Sequence, residues 1–123
     1  IPGSRHYIHA KDVADGMLFL LQNQDKISNL PNDYGGAKCP KFNLVGPVEW
    51  DNLVLAQKIA MSQNKELKYK MVDFHSSRPG HDLRYALDGT LMKELGWEPK
   101  VSIDERISQV VNWTLNNDRW LKL

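Results

Sequence analysis

Apolar side chains recur at helical spacing in three stretches of the chain, and these stretches predict its longest helices. The first predicts a helix from about residue 12 to residue 23, in which Asp12 is placed to cap the free amides of the first turn. The second predicts a helix from about residue 51 to residue 63, with Asp51 as its N-cap. The third begins at Ser102, where Ser102 and Glu105 have the spacing of a capping box.

Short extended stretches and one short helix separate these helices. Tyr7–His9 is predicted as an extended segment, and Phe42–Val45 and Leu67–Val72 are predicted as strands from their apolar and alternating residues. Asp88 is predicted to cap a short helix, which Gly96 ends in the left-handed conformation that glycine adopts at little cost. Strands that alternate with helices predict a mixed α/β fold, in one domain that spans the chain.

Composition narrows the class of protein. The 123 residues are 41% hydrophobic and 25% charged, as in soluble globular proteins. The 16 basic and 15 acidic residues give a formal net charge of +1, which argues against a general electrostatic grip on nucleic acid or anionic lipid. The single cysteine, Cys39, excludes an intramolecular disulfide and favours a reducing compartment, the cytoplasm. The four histidines lack metal-ligand spacing, so no metal site is predicted.

A cluster of charge surrounds the dipeptide Pro79-Gly80. Proline presets the first central torsion of a type II turn, and glycine accepts the positive φ that the second position demands. Arg78, before the proline, is expected to be extended, so that Arg78 and His81 flank one turn and could bind an anion such as phosphate. The alternative is a surface hairpin turn whose charges are solvated or paired with Asp82. Local chemistry leaves both interpretations open.

Several stretches resemble the C-terminal region of the dTDP-glucose 4,6-dehydratases, which are extended short-chain dehydrogenase/reductases of the NAD-dependent epimerase/dehydratase family. Residues 78–88 (RPGHDLRYALD) are similar to the family pattern R-P-G-H-D-x-R-Y-A-[IL]-D, and residues 93–107 (KELGWEPKVSIDERI) are similar to the segment after it. Residues 5–14 and 42–46 resemble the motifs R-x-W-[IL]-x-V-x-D-x-A and Y-N-I-G-G. The resemblance implies a small mixed α/β substrate-binding domain without the dinucleotide-binding Rossmann part.

The resemblance also implies a substrate and a site. The parent enzyme would be a lyase that oxidises a nucleotide-linked hexose at its fourth carbon with NAD, eliminates water across the fifth and sixth carbons, and returns the hydride. This domain would orient the substrate diphosphate for that chemistry. The residues implied to contact the nucleotide diphosphate are Arg5, Asn52, Ser77, Arg78, Pro79, Gly80 and His81.

The chain departs from the family pattern at several points. Ser77 replaces the usual aspartate, Tyr7 replaces tryptophan, and Val45 replaces the first glycine of a pair. Residues 25–41, rich in Asn, Asp, Gly, Pro and Lys, predict a loop that is longer than usual. These departures leave the base and the sugar open, and they also leave open a related epimerase or decarboxylase.

The family motifs that carry the chemistry are absent from this sequence. The glycine-rich dinucleotide loop, the Tyr-x-x-x-Lys pair and the Thr-Asp-Glu set precede this region in the family, and Tyr34 and Lys38 match the Tyr-x-x-x-Lys spacing only by coincidence. We therefore expect residues 1–123 to be a fragment that neither binds NAD nor turns over without an N-terminal dinucleotide-binding domain. The alternatives are assembly with a separate dinucleotide-binding chain, and a stand-alone anion- or RNA-binding module that uses Arg78, Arg84 and Lys70. Neither nucleic acid nor a membrane is an expected partner.

Overall fold

The computed structural model describes residues 3–30, 40–73, 76, 79–80 and 82–122, which form three short strands, five α-helices and one 3-10 turn. Strands and helices together confirm the predicted mixed α/β class. In chain order the elements are β1 (Ser4–His6), α1 (Ala10–Gln22), α2 (Gln24–Ser28), β2 (Glu49–Asp51), α3 (Asn52–Met61), β3 (Arg84–Tyr85), α4 (Thr90–Leu95), α5 (Ile103–Asn116) and the 3-10 turn Asp118–Trp120.

The three strands form one sheet in the order β2-β1-β3. The central strand β1 is antiparallel to β2, with Arg5 opposite Trp50, and parallel to β3, with Arg5 opposite Tyr85. The ladder is extended at one end, where the amide of Asn52 donates to the carbonyl of Gly3 over 2.9 Å. The first residues of the chain are therefore held between two segments that are distant in sequence.

The predicted helix ends are largely confirmed because they depend on local hydrogen bonds. The Asp51 carboxylate accepts from the amide of Val54 over 2.8 Å and begins α3, as predicted. Ser102 accepts from the amide of Glu105 over 3.2 Å, but the Glu105 carboxylate accepts from Gln109 at 3.3 Å, so only the serine half of the capping box is present in the described residues. Gly96 ends α4 with φ of +101°, also as predicted.

The short helix α4 begins at Thr90, one residue later than a cap at Asp88 would predict. Gly89 is the N-cap in the structure, and the Asp88 carboxylate accepts from both the amide (2.9 Å) and the hydroxyl (2.6 Å) of Thr90. These bonds to Thr90 lower the pKa of Asp88. The aspartate therefore still satisfies a free amide at the start of the helix.

The predicted cap of the first helix is wrong. Helix α1 begins earlier, at Ala10, and its N-cap is His9, whose Nδ1 accepts from the amide of Lys11 over 2.9 Å. Burial, together with the positive charge of Arg106, lowers the pKa of His9 and favours the neutral ring that this bond requires. Asp12 lies inside the first turn, is only 4% exposed, and pairs with Arg106 of α5, with 2.5 Å between Oδ1 and Nη2.

The two predicted strands at Phe42–Val45 and Leu67–Val72 are also wrong. Neither segment has a strand partner among the residues that the structure describes. A sequence can favour an extended backbone, but a strand forms only if another segment pairs with it. The segment before β2 is held instead by a side chain, because Asn43 Nδ2 donates to the carbonyl of Asp88 over 3.0 Å. Helix α2 occupies part of the predicted loop 25–41, and residues 31–39 lie outside the described residues.

Only a small core is buried. Trp97 is 4% exposed, its Nε1 donates to Asp15 over 2.8 Å, and its backbone amide donates to the carbonyl of Met92 over the same distance. The bond from Trp97 is the main cause of the lowered pKa of Asp15. Within the described part of the chain, no helix is both long and apolar enough to cross a membrane. The buried apolar residues are Ala60, Met92, Trp97, Ile107 and Val111.

Replacing Asp12 by alanine is expected to destabilise the fold strongly, because the Arg106 side chain, only 12% exposed, would lose its carboxylate partner. The matched control is Asp104→Ala, which removes an exposed ion pair with Lys58, and exposed pairs contribute little. Chemical unfolding followed by circular dichroism should show a loss of stability several times larger for Asp12→Ala. Equal losses in the two variants would contradict this assignment.

Candidate functional site

Arg5 lies in the central strand and its guanidinium is held by neutral groups. Nη1 donates to the carbonyls of Ser4 (2.6 Å) and Leu83 (3.3 Å), and Nη2 donates to the carbonyl of Asp82 at the longer distance of 3.4 Å. The guanidinium carbon lies 4.2 Å from the centre of the Tyr85 ring. Among the described residues no carboxylate forms an ion pair with Arg5, so its positive charge is left for another partner.

Asn52 begins α3 next to this arginine. Its Oδ1 accepts from the Tyr7 hydroxyl over 2.5 Å, and its backbone amide is bonded to Gly3. A methyl group placed on Gly3 would lie 3.5 Å from Arg5 Nη1 and 3.6 Å from Asn52 Nδ2, so both donors lie near the same point. The structure therefore brings together two predicted site residues that are far apart in sequence.

The predicted turn at Pro79-Gly80 is present, and Gly80 has φ of +77°, the sign that a type II turn demands at this position. Leu83, which follows this turn in sequence, lies beside the site, because its carbonyl accepts from the amide of Ser4 over 2.9 Å as well as from Arg5. Three further predicted site residues, Ser77, Arg78 and His81, lie outside the described residues.

Arg84 forms an ion pair with a carboxylate, whereas no carboxylate among the described residues pairs with Arg5. Its Nε and Nη2 donate to the two carboxylate oxygens of Glu49 over 2.6 and 2.8 Å, and Ser4 Oγ donates to the same carboxylate over 2.7 Å. These bonds, led by the one from Arg84, lower the pKa of Glu49 to about 2. One carboxylate therefore joins all three strands. The pairing also removes Arg84 from the set of cations that an RNA-binding surface would need.

Two tyrosines of the site were not among the predicted site residues. Tyr85 is 50% exposed, and a hydrogen bond to Asp82 is the main cause of its raised pKa. Its ring therefore stays a neutral phenol under Arg5. Tyr7 had been noted only as a departure from the family pattern. Little in the sequence indicates these roles. Tyr85 lies inside a motif, but no local pattern links Tyr85 to Arg5 or Tyr7 to Asn52.

A cavity of about 620 Å³ lies elsewhere in the described part of the chain, between α3 and α5. It reaches the site only through Tyr7, its lining is mostly apolar, and its Arg106 is already paired with Asp12, so it is less suited to an anion than the group around Arg5. Neither Arg5 nor Asn52 lines it. Its apolar lining residues include Ile8, Leu55, Ile59, Ile107, Val110 and Leu115.

The described residues do not fit a dinucleotide. Such a site needs a glycine-rich turn that leads from a strand into a helix N-terminus, where free amides face the phosphates. The connection from β1 to α1 is Tyr7-Ile8-His9, which contains no glycine, and the His9 side chain occupies one of the first amides of the helix. In the described part of the chain, no group of three or more His, Cys, Asp or Glu residues is placed to hold a metal ion.

Comparisons with known proteins identify the family of the chain. The family model described as GDP-mannose 4,6 dehydratase matches residues 2–110. The dTDP-glucose 4,6-dehydratase of Xanthomonas campestris pv. campestris is 34% identical over 89 residues, and that of Haemophilus influenzae is 36% identical over 85 residues. The matched parts cover 66% and 67% of this chain, but 25% of each relative. The resemblance stated from the sequence is thereby confirmed.

The fold is also found in a solved structure. The crystal structure of dTDP-glucose 4,6-dehydratase from Bacillus anthracis, in complex with NAD, matches with a TM-score of 0.71 and 24% identity. The match covers 97% of this chain and 33% of that chain. It confirms the predicted fold class, a small mixed α/β fold.

The Glu49 network predicts a specific dependence of stability on pH. Its pKa of about 2 lies below the ordinary value of 4.5, so its contribution is present above pH 4.5 and is lost as the pH falls toward 2. We expect Glu49→Gln to be less stable than the parent chain at pH 7 and to lose less stability below pH 4.5. Glu66→Gln, at an exposed glutamate, is the control. Urea unfolding at several pH values measures both, and parallel pH profiles for parent and Glu49→Gln would refute the assignment.

Proposed function

The chain belongs to the GDP-mannose 4,6 dehydratase family, and we propose that it is the part of a nucleotide-sugar 4,6-dehydratase that binds the substrate diphosphate. The proposed substrate type is a dTDP-hexose, as in the names of the relatives. A related epimerase or decarboxylase would use the same binding site, and the residues that separate these activities would act on the sugar rather than on the diphosphate.

One observation carries the proposal: no carboxylate among the described residues forms an ion pair with Arg5, and its guanidinium, whose Nε–H and second Nη2–H have no acceptor in the same residues, lies near the same point as Asn52 Nδ2. A diphosphate presents several anionic oxygens to such a pair of donors. Hydrogen bonds to charged groups contribute roughly 1.5–3 kcal/mol each, so two of them supply useful binding energy. A guanidinium can also bind two phosphate oxygens at once, which fixes orientation as well as position.

The turn supplies the rest of the proposed site. Ser77, Arg78 and His81 flank the described Pro79-Gly80 pair in sequence, and the chain after this turn contacts Arg5. We therefore assign all of them, with Pro79 and Gly80, to the same diphosphate site. A second arginine would neutralise the second phosphate, which one guanidinium alone leaves charged.

The proposed role of these residues is binding and orientation. NAD would supply the oxidation and reduction in the whole enzyme, and residues outside this chain would hold it. The residues of this chain would fix the diphosphate so that the hexose lies in a geometry close to that of the reaction. Each donor acts at a distance from the reacting carbons, so none of them is assigned a catalytic step.

The apolar surface supports a further part of the proposal, an adjoining dinucleotide-binding domain. A single exposed leucine is ordinary, whereas several exposed apolar residues on one helix favour a contact with another surface. We propose that this domain, in the same polypeptide or in a separate chain, covers the exposed apolar residues of α1 and α5. These are Met17, Leu18, Leu21, Val110, Trp113 and Leu115.

Calorimetric titration with dTDP or a dTDP-hexose tests the proposed site. The parent chain should bind, and Arg5→Ala should weaken binding by roughly tenfold or more, the equivalent of one charge-assisted hydrogen bond. Arg78→Ala should have a similar effect. Arg119→Ala is the matched control, because its guanidinium lies over Trp120 at the other end of the chain.

Two results would count against the proposal. One is unchanged dTDP binding in both Arg5→Ala and Arg78→Ala, provided that circular dichroism shows native folds. The other is tight RNA binding with a steep dependence on salt, which would favour a nucleic-acid module instead.

A further inference from the structure

Tyr7 makes a contact that the family resemblance does not account for. It follows β1, where the family pattern has tryptophan, and its hydroxyl donates to Asn52 Oδ1 over 2.5 Å. The hydroxyl is therefore a feature of this chain and not of the pattern. Because Asn52 is one of the two donors of the proposed site, whatever orients its amide affects the site directly.

A carboxamide has two different ends, and only one of them suits an anion. Oδ1 accepts hydrogen bonds and would repel a phosphate oxygen, whereas Nδ2 donates two. The Tyr7 hydroxyl has a single proton and gives it to Oδ1. With Oδ1 occupied in this way, Nδ2 is the end of the carboxamide that is left to donate, and it lies 3.6 Å from the point near Gly3 that is 3.5 Å from Arg5 Nη1.

Both partners of this hydrogen bond are fixed by the backbone. A side chain on Gly46 would lie 1.9 Å from the carbonyl oxygen of Tyr7, so the two segments are in direct backbone contact. The Asn52 amide is bonded to the carbonyl of Gly3. Tyr7 also lines the mostly apolar cavity between α3 and α5, while its hydroxyl is bonded to Asn52.

We propose that Tyr7 is a positioning residue for the diphosphate site: its hydroxyl holds the Asn52 amide with Nδ2 directed toward the bound anion. The inference rests on the proposed function of that site. Tyr7 itself does not contact the phosphates, and its contribution passes entirely through Asn52.

Tyr7→Phe tests the inference, because it removes the hydroxyl and keeps the ring. In calorimetric titrations with dTDP, the variant should bind roughly threefold to tenfold more weakly than the parent chain, the value of one ordinary hydrogen bond. Tyr69→Phe, at an exposed tyrosine, is the matched control and should bind as the parent does. Thermal unfolding establishes that both variants are folded.

A double-mutant cycle separates a positioning role from a merely structural one. If Tyr7 acts only through Asn52, then Tyr7→Phe should cause no further loss of dTDP affinity in an Asn52→Ala background. In the ligand-free chain, NMR should also show that Tyr7→Phe shifts the side-chain amide signals of Asn52, identified by their loss in Asn52→Ala. Additive losses, or unshifted amide signals, would overturn the inference.

Asn52→Asp provides a second variant that keeps the acceptor for Tyr7. It replaces the donor Nδ2 by an anionic oxygen, so dTDP binding should be lost while the fold is retained. Binding equal to that of the parent chain would show that Nδ2 does not face the anion, and the inference would fail. A parent chain that binds no nucleoside diphosphate would instead refute the proposed function, and the inference with it.

Discussion

The carboxylate of Glu49 is the interaction on which the site depends. Two of the strands contain three residues and the third contains two, so the backbone ladder alone offers few hydrogen bonds. Glu49 in β2 binds Ser4 of β1 and Arg84 of β3 at the same time, and it does so through both carboxylate oxygens. The register that places Arg5 beside Tyr85 is thereby fixed by a side chain as well as by the ladder.

Three arginines of the described chain show how environment separates structural from binding roles. Arg84 and Arg106 each direct their guanidinium toward a carboxylate, that of Glu49 or Asp12, and those pairs join distant segments. Arg5 is held by carbonyl oxygens and an aromatic ring, which orient it without cancelling its charge. The sequence alone does not distinguish these cases, because the partner of each arginine is far away along the chain.

The parts of the fold that could be predicted from the sequence are those that local chemistry decides. Asp51, Ser102 and Gly96 act within one turn of their own position, and each was assigned correctly to a helix end. Asp12 was misassigned because its carboxylate forms a nearly buried ion pair with Arg106, far away along the chain, and does not cap the helix. The prediction of a strand at Phe42–Val45 was wrong for a related reason, because an extended segment forms a strand only where another strand pairs with it.

The proposed site could likewise be predicted only in the part that short motifs encode. The resemblance identified Arg5 and Asn52 through motifs, and the structure brings both near Gly3. The groups that orient them, the ring of Tyr85 and the hydroxyl of Tyr7, are tertiary contacts that no motif spacing encodes. A motif can therefore suggest candidate binding residues, whereas the direction in which each donor faces depends on contacts formed only in the folded chain. A substitution such as tyrosine for tryptophan at position 7 can add such a contact while Arg5 and Asn52 themselves are retained.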